Sequence, residues 1–180
     1  MQTVSLSSDD AYERFIAPHL DAAFNLARWL SKNDDDASDI VQEACLRALR
    51  YSNNAEHENS RAWFLSIVRN AAFTMLARRR RGPASVSLDD VRFDLPSNDE
   101  SPERLVLRDI DVALLRTAIE ELPDEFREVI VLRELEELSY EEIARIAEIP
   151  IGTVMSRLAR ARSRLQIRLT HNRQGLPHGL

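Results

Sequence analysis

The stretch "LSYEEIARIAEIPIGTVMSRL", residues 138–158, decides the fold. Ser139 and Glu142 stand in Ser-x-x-Glu spacing, a capping box that fixes the start of a helix. Ile143, Ala144 and Ala147 give that helix an apolar face with small residues where a second helix must cross closely. Ile149 and Pro150 end it, because proline cannot continue a helix. A new helix is expected from about Thr153, with Val154 placed to pack back. A short helix, a tight turn and a longer helix in this order is a helix-turn-helix, whose second helix is built to lie in a DNA major groove.

On a wheel of 100° per residue, Val154, Leu158, Ala161, Leu165 and Leu169 fall on one inward face of the second helix. Ser156, Ala159, Arg160 and Ser163 lie opposite. Arg157, Arg164 and Arg168 line one flank, and Arg162 with Met155 lines the other. Small residues in the middle of the outward face permit a close approach, and flanking arginines reach phosphates. Arg160 is best placed for a base edge, since guanidinium pairs bidentately with guanine. Thr153 and Ser156 at the helix start add donors for a phosphate. The competing reading is a solvated basic helix that pairs with the acidic segment before it. The capping box and turn that precede it favour DNA.

Charge is distributed unevenly along the chain. Its net charge is −6, yet residues 151–180 carry six arginines and no acid. Residues 103–150 hold 14 acids against six arginines, whereas residues 1–81 balance at 11 of each. An anionic partner meets the local surface rather than the total. With 44% hydrophobic and 30% charged residues, the 180-residue chain reads as soluble and globular. Four glycines and few β-branched clusters favour helices over sheets. No apolar run nears the roughly 18 residues a membrane span needs, and "MQTVSLSSDD" lacks an export signal, so no membrane insertion and a cytoplasmic location are expected. One cysteine, Cys45, fits a reducing compartment and excludes an internal disulfide. His19, His57, His171 and His178 are scattered, and nothing has metal-ligand spacing. With no glycine-rich phosphate loop either, the chain is read as no enzyme, with no catalytic set, metal or cofactor.

The expected fold class is all-α: two small helical domains joined by a flexible acidic linker. The first, residues 9–81, opens with a periodic helix from about Asp9 to Ser31. "NDDD" breaks it, and Asp36 is expected to cap a second helix reaching about Arg50. There Val41, Ala44, Cys45 and Ala48 share one side. Asp39, Gln42, Glu43, Leu46 and Arg50 share the other. An exposed leucine among charges and an amide has the makeup of a docking patch, though a plain solvated face has the same spacing. Ser60 is expected to cap "RAWFLSIVRNAAFTMLARRRR", residues 61–81. Phe64, Ile67, Val68, Ala71, Ala72 and Met75 are its buried face. Trp63, Asn70 and Phe73, with Arg78, Arg79, Arg80 and Arg81 downstream, have what single-stranded nucleic acid needs: rings to stack, an amide for base edges and cations for the backbone. Packing of Trp63 and Phe73 against the first helix is the alternative. Residues 82–102 read as the linker, with five acids against Arg92. Residues 103–171 form the second domain. Its helices run from Pro102 to Leu122, from Asp124 to about Leu135, over Tyr140–Ala147 and onward from Thr153.

With these segments in hand, the chain resembles a sigma-70 family sigma factor of the extracytoplasmic-function type over about residues 9–170. "DASDIVQEACLRAL", residues 36–49, is similar to the region 2 helix that binds the β′ clamp helices of RNA polymerase. The resemblance implies that Asp39, Gln42, Glu43 and Leu46 bind core polymerase. Residues 61–81 look like the segment that melts and reads the minus-ten element, which implies roles for Trp63, Asn70, Arg78, Arg79 and Arg80. Residues 121–165 are similar to region 4, which reads the minus-thirty-five element, here through Thr153, Ser156, Arg157, Arg160, Arg162 and Arg164. The family also implies a β flap contact, an anti-sigma factor as regulator, a base pocket in the loop 51–60 and a linker lying in polymerase channels. Met155 stands where many members have Arg or Lys, and Ala159 where some have a bulkier residue. Glu148 replaces a glycine common in the turn. "HENSRAWF" is polar before Trp63, where relatives often carry an aromatic. After Leu169 only "THNRQGLPHGL" remains, so no C-terminal regulatory domain is expected. A stand-alone helix-turn-helix regulator is the alternative, acting as a symmetric dimer. So is a sigma-like decoy that binds only regulatory proteins.

Overall fold

The structure is a computed structural model that describes residues 8–51, 59–81 and 102–175. The expected base pocket and acidic linker fall largely outside the described residues, as do His57 and His178. Every regular element among the described residues is helical. In chain order they are α1 (Ser8–Phe15), a 3₁₀ turn (Ala17–His19), α2 (Leu20–Ser31), α3 (Asp34–Tyr51), α4 (Ser60–Arg81), α5 (Pro102–Glu120), α6 (Asp124–Ile130), α7 (Tyr140–Ala147) and α8 (Ile151–Gly175). α6 runs on into a wider π-helical turn, Val131–Leu135.

The single helix expected from Asp9 to Ser31 is two helices. Pro18 has no N–H to donate and its ring clashes with the preceding turn, so the chain tightens into a 3₁₀ turn there. α2 ends at Lys32, whose left-handed backbone (φ 61°) turns its N–H back to the Arg28 carbonyl at 2.8 Å. α3 is capped by Asn33 rather than Asp36: Asn33 Oδ1 accepts from the Asp36 N–H at 2.9 Å. Asp36 is buried and pairs instead with Arg79 at the far end of α4. α4 is capped by Asn59, whose Oδ1 accepts from the Ala62 N–H at 2.9 Å, while Ser60 hydrogen-bonds His19 at 2.9 Å. Four arginines in the last turn of α4 suit the negative end of its dipole.

α2, α3 and α4 pack on one another around Leu26, Leu30, Ile40, Phe64 and Val68, all fully buried. Each such side chain contributes about 1.5–3 kcal/mol by leaving water. In the second unit α8 packs on α5, α6 and α7. Arg127, also fully buried, joins α6 to the end of α5. Its Nη1 donates to the carbonyls of Glu120 at 2.9 Å and Leu122 at 2.7 Å, and its Nη2 to Asp124. These bonds satisfy carbonyls that a helix end otherwise leaves unpaired.

The two units touch. α4 packs against α7, and α2 against α6, so that the buried side chains of both form one continuous cluster. Leu65, off the expected buried face of α4, is also fully buried.

Candidate nucleic-acid interface

The capping box is formed in full. Ser139 Oγ accepts from the Glu142 N–H at 3.2 Å, and Glu142 Oε2 accepts from the Ser139 N–H at 2.8 Å. That second bond, ahead of lesser effects, holds the Glu142 carboxyl below its usual range. α7 ends at Glu148, again left-handed (φ 55°), with its N–H on the Ala144 carbonyl. α8 begins at Ile151, two residues before the expected Thr153, because the Pro150 carbonyl accepts from the N–H groups of Thr153 (2.9 Å) and Val154 (3.1 Å).

Val154, Leu158 and Ala161 are buried on the inward face of α8, and Leu165 and Leu169 partly so. Ser156, Ala159, Arg160 and Ser163 are all exposed on the outward face. The flanking arginines are held by their own unit. Arg157 pairs with Glu125 at 3.7 Å, Arg162 with Glu134 at 2.7 Å and Arg168 with Glu121 at 2.6 Å. Arg164 lies over the Phe126 ring, 5.0 Å from its centroid. The carboxylate of Glu134 raises the pKa of the already basic Arg162. Among the described residues Arg160 has no acidic partner. Thr153 is half-buried, and Ser156 Oγ donates to the Thr153 carbonyl at 3.0 Å. So the solvated, paired helix describes the flanks, and the centre of the outward face stays open.

On α3, Asp39, Gln42, Glu43 and Leu46 are exposed together, Leu46 by half its surface. Glu43 is partly engaged with Arg47 one turn on, at 2.7 Å. Cys45 is half-buried, and burial pushes its thiol pKa up, which disfavours the reactive thiolate.

On α4, Trp63 packs edge-on to Phe15 with centroids 6.5 Å apart, which is the packing alternative. Phe73 is half-buried, with the Arg69 guanidinium 4.7 Å from its ring centroid. Asn70 is exposed and donates to Glu148 Oε1 at 3.2 Å. Arg79 is taken by Asp36, and Arg80 reaches Asp124 of the second unit at 2.5 Å. Arg78 is exposed.

Sequence reasoning missed two cations of this face. Arg69 Nε donates to Glu128 Oε1 at 2.6 Å, and Arg61 Nη2 to Glu136 Oε2 at 2.8 Å. Glu128 is only 1% exposed and Glu136 7%. Burial pushes the Glu128 pKa up, and Arg69 opposes that shift. A signal was present: Glu128 interrupts the apolar run "FREVIVL" at 126–132, where a carboxylate requires a cation. Among the described residues no group of side chains could hold a metal ion, and no helix is long and apolar enough to cross a membrane.

Comparison with known proteins agrees with this layout. Residues 15–82 match the family model "Sigma-70 region 2" and residues 113–165 match "Sigma-70, region 4". The chain is 34% identical over 157 residues to the ECF RNA polymerase sigma factor SigE of Mycolicibacterium smegmatis, covering 87% of this chain and 60% of that one. It is 41% identical over 134 residues to the RNA polymerase sigma-H factor of Pseudomonas aeruginosa (71% and 69% covered). It is 37% identical over 137 residues to the ECF sigma-E factor of Escherichia coli (71% and 70%). Among solved structures, the sigma factor RpoE of Bartonella quintana, in complex with the anti-sigma factor NepR, superposes with a TM-score of 0.69. The sequences are 28% identical, and the match covers 88% of this chain and 96% of that one. Two helical units in this order, each matching its own region, identify the chain as belonging to the sigma-70 family, in its extracytoplasmic-function group.

Proposed function

We propose that this chain is a transcription initiation factor that binds core RNA polymerase, directs it to promoters and is held in check by an anti-sigma factor. The outward face of α8 carries the reading. Arg160 stands open among Ser156, Ala159 and Ser163, behind a fully capped α7, as a base-reading helix requires. In this reading Arg160 contacts a base of the minus-thirty-five element, while Thr153, Ser156, Arg157, Arg162 and Arg164 hold its phosphates. Asp39, Gln42, Glu43 and Leu46 dock on the β′ clamp helices, and the second unit meets the β flap. Trp63, Asn70, Arg78, Arg79 and Arg80 take the minus-ten strand. Residues 9–81 and 103–171 are the two functional domains, and the intervening segment is the tether. The chain itself makes and breaks no bonds, since the polymerase does the chemistry, and it works in the cytoplasm. The likeness to a sigma factor bound to an anti-sigma factor supports control by such a partner.

The test is transcription by purified chain and core polymerase on fragmented genomic DNA of the source organism, with start sites mapped. Discrete starts sharing two upstream elements are expected. No discrete starts with core binding intact would favour the decoy, and no core binding would favour the stand-alone regulator.

A further inference from the structure

Two features at the start of α8 have no cause inside the described chain. The first is Gly152. It is exposed, its backbone is not left-handed, and a side chain beginning there would meet nothing beyond its own turn of helix within 4 Å. Glycine weakens a helix relative to alanine, and here neither a turn nor a close neighbour requires it. Bare backbone at such a place suits close approach by something outside the protein.

The second feature is a row of exposed apolar side chains. Ile151, Met155 and Ala159 follow one another at i, i+4 spacing along the edge of the outward face, with Ile151 42% and Met155 54% exposed. A single exposed apolar residue is ordinary, but three in a row beside Arg160 make a surface of their own. Arg162, the cation on that flank, is already held by Glu134 at 2.7 Å, so what this edge offers a partner is apolar. Met155 and Arg160 bound the outward face on its two sides, about 140° apart, with Gly152, Ser156 and Ser163 between them. Along the axis they are separated by roughly 7.5 Å, which is about two base-pair steps of duplex DNA. In the major groove, the apolar group that base edges present is the C5-methyl of thymine.

We infer that Met155 reads a thymine methyl in the minus-thirty-five element, about two base pairs from the base that Arg160 takes, and that Gly152 lets the start of α8 seat closely in the groove. The inference deepens the minus-thirty-five role proposed above for α8 and rests on it. The flexible, polarisable thioether of Met155 fits itself to a methyl group, and Ile151 and Ala159 extend the apolar surface on either side. Cytosine at the same place offers an amine donor and no methyl, so this edge of the helix selects thymine against it.

The test is binding of a fluorescent duplex promoter by holoenzyme assembled from core polymerase and the full chain. The promoter is one mapped by its start site. Each thymine of its minus-thirty-five element is replaced in turn by deoxyuridine, which removes the methyl and keeps the base pair. For the unmodified chain one replacement, about two base pairs from the position that Arg160→Ala ceases to discriminate, should weaken binding about fourfold, which is about 0.8 kcal/mol. Holoenzyme carrying Met155→Ala should bind both duplexes equally, and the exposure of Met155 leaves the fold untouched. Gly152→Ala should raise the melting temperature of the free chain by about 2 °C while weakening promoter binding at least about fivefold. A glycine needed by the fold would instead lower both. An element with no thymine at that place, no response of the unmodified chain to deoxyuridine, or an equal response with Met155→Ala overturns the reading by Met155. Undiminished binding with Gly152→Ala overturns the close seating. If scrambling the whole element leaves holoenzyme binding unchanged, the minus-thirty-five role itself falls, and the inference with it.

Discussion

Replacing Arg160 by alanine removes the one arginine on the outward face of α8 that no carboxylate of the described chain engages. Nothing inside the protein is broken, so the folded state should be unaffected, within about 0.5 kcal/mol. A bidentate guanidinium–base contact is worth about 1–3 kcal/mol of discrimination, hence about 5- to 150-fold in affinity. The holoenzyme carrying Arg160→Ala should lose that much on the intact promoter and nothing on a promoter altered at the base pair Arg160 reads. Binding of core polymerase should be unchanged. Arg162→Ala is the contrast. Arg162 already pairs with Glu134 at an exposed site, so moving it to a phosphate gains under about 1 kcal/mol. Its loss should weaken all promoters alike and lower the salt slope by about 1. The assay is promoter binding by holoenzyme over a salt series, on a promoter set varied one base pair at a time. If Arg160→Ala weakens every variant equally and changes the salt slope, it contacts a phosphate, and the base-reading assignment is refuted.

Further outcomes are expected elsewhere. Replacing Asp39, Gln42 and Glu43 together by alanine should abolish pull-down of core polymerase while the melting temperature and helical content stay as they were, since all three are exposed. Arg127→Met leaves Asp124 and two carbonyls of the α5 terminus without their buried donor, and should lower unfolding free energy in urea by about 3–5 kcal/mol. Glu142 has a depressed pKa in the folded chain, so its stabilisation is present above the ordinary glutamate range and is lost as pH falls through the depressed value. Glu142→Gln should therefore be less stable than the unmodified chain at neutral pH, and the gap should close in acid titrations followed by circular dichroism.

Local chemistry made the second unit readable. The Ser139–Glu142 box, the Pro150 stop and the inward stripe Val154–Leu158–Ala161 each depend on residues a few positions apart, and all three are formed. The exposure of Asp39, Gln42, Glu43 and Leu46 followed from the period of α3 in the same way. Misplaced details were choices between near-equivalent neighbours. Asn33 competes with Asp36 for the start of α3, and the ion pair that the buried Asp36 makes with Arg79 decides in favour of Asn33. Asn59 and Ser60 compete similarly, and His19 takes the serine. Illegible was anything depending on two distant segments meeting. A helical wheel gives α4 one buried face, but α7, distant in sequence, also packs on this helix, and Leu65 is buried off the expected face. For the same reason nothing near Arg61 and Arg69 in the sequence points to Glu136 and Glu128, with which they pair.

Glu148 ties two scales together at one torsion angle. Its left-handed backbone ends α7 and sets the angle at which α8 leaves, a geometry that costs an ordinary residue about 1 kcal/mol and glycine almost nothing. Its carboxylate meanwhile reaches Asn70 in the other unit. A descendant with glycine at 148 would have a more relaxed bend and one grip fewer across the molecule. One residue thus sets both the bend between α7 and α8 and a hydrogen bond that joins that bend to α4.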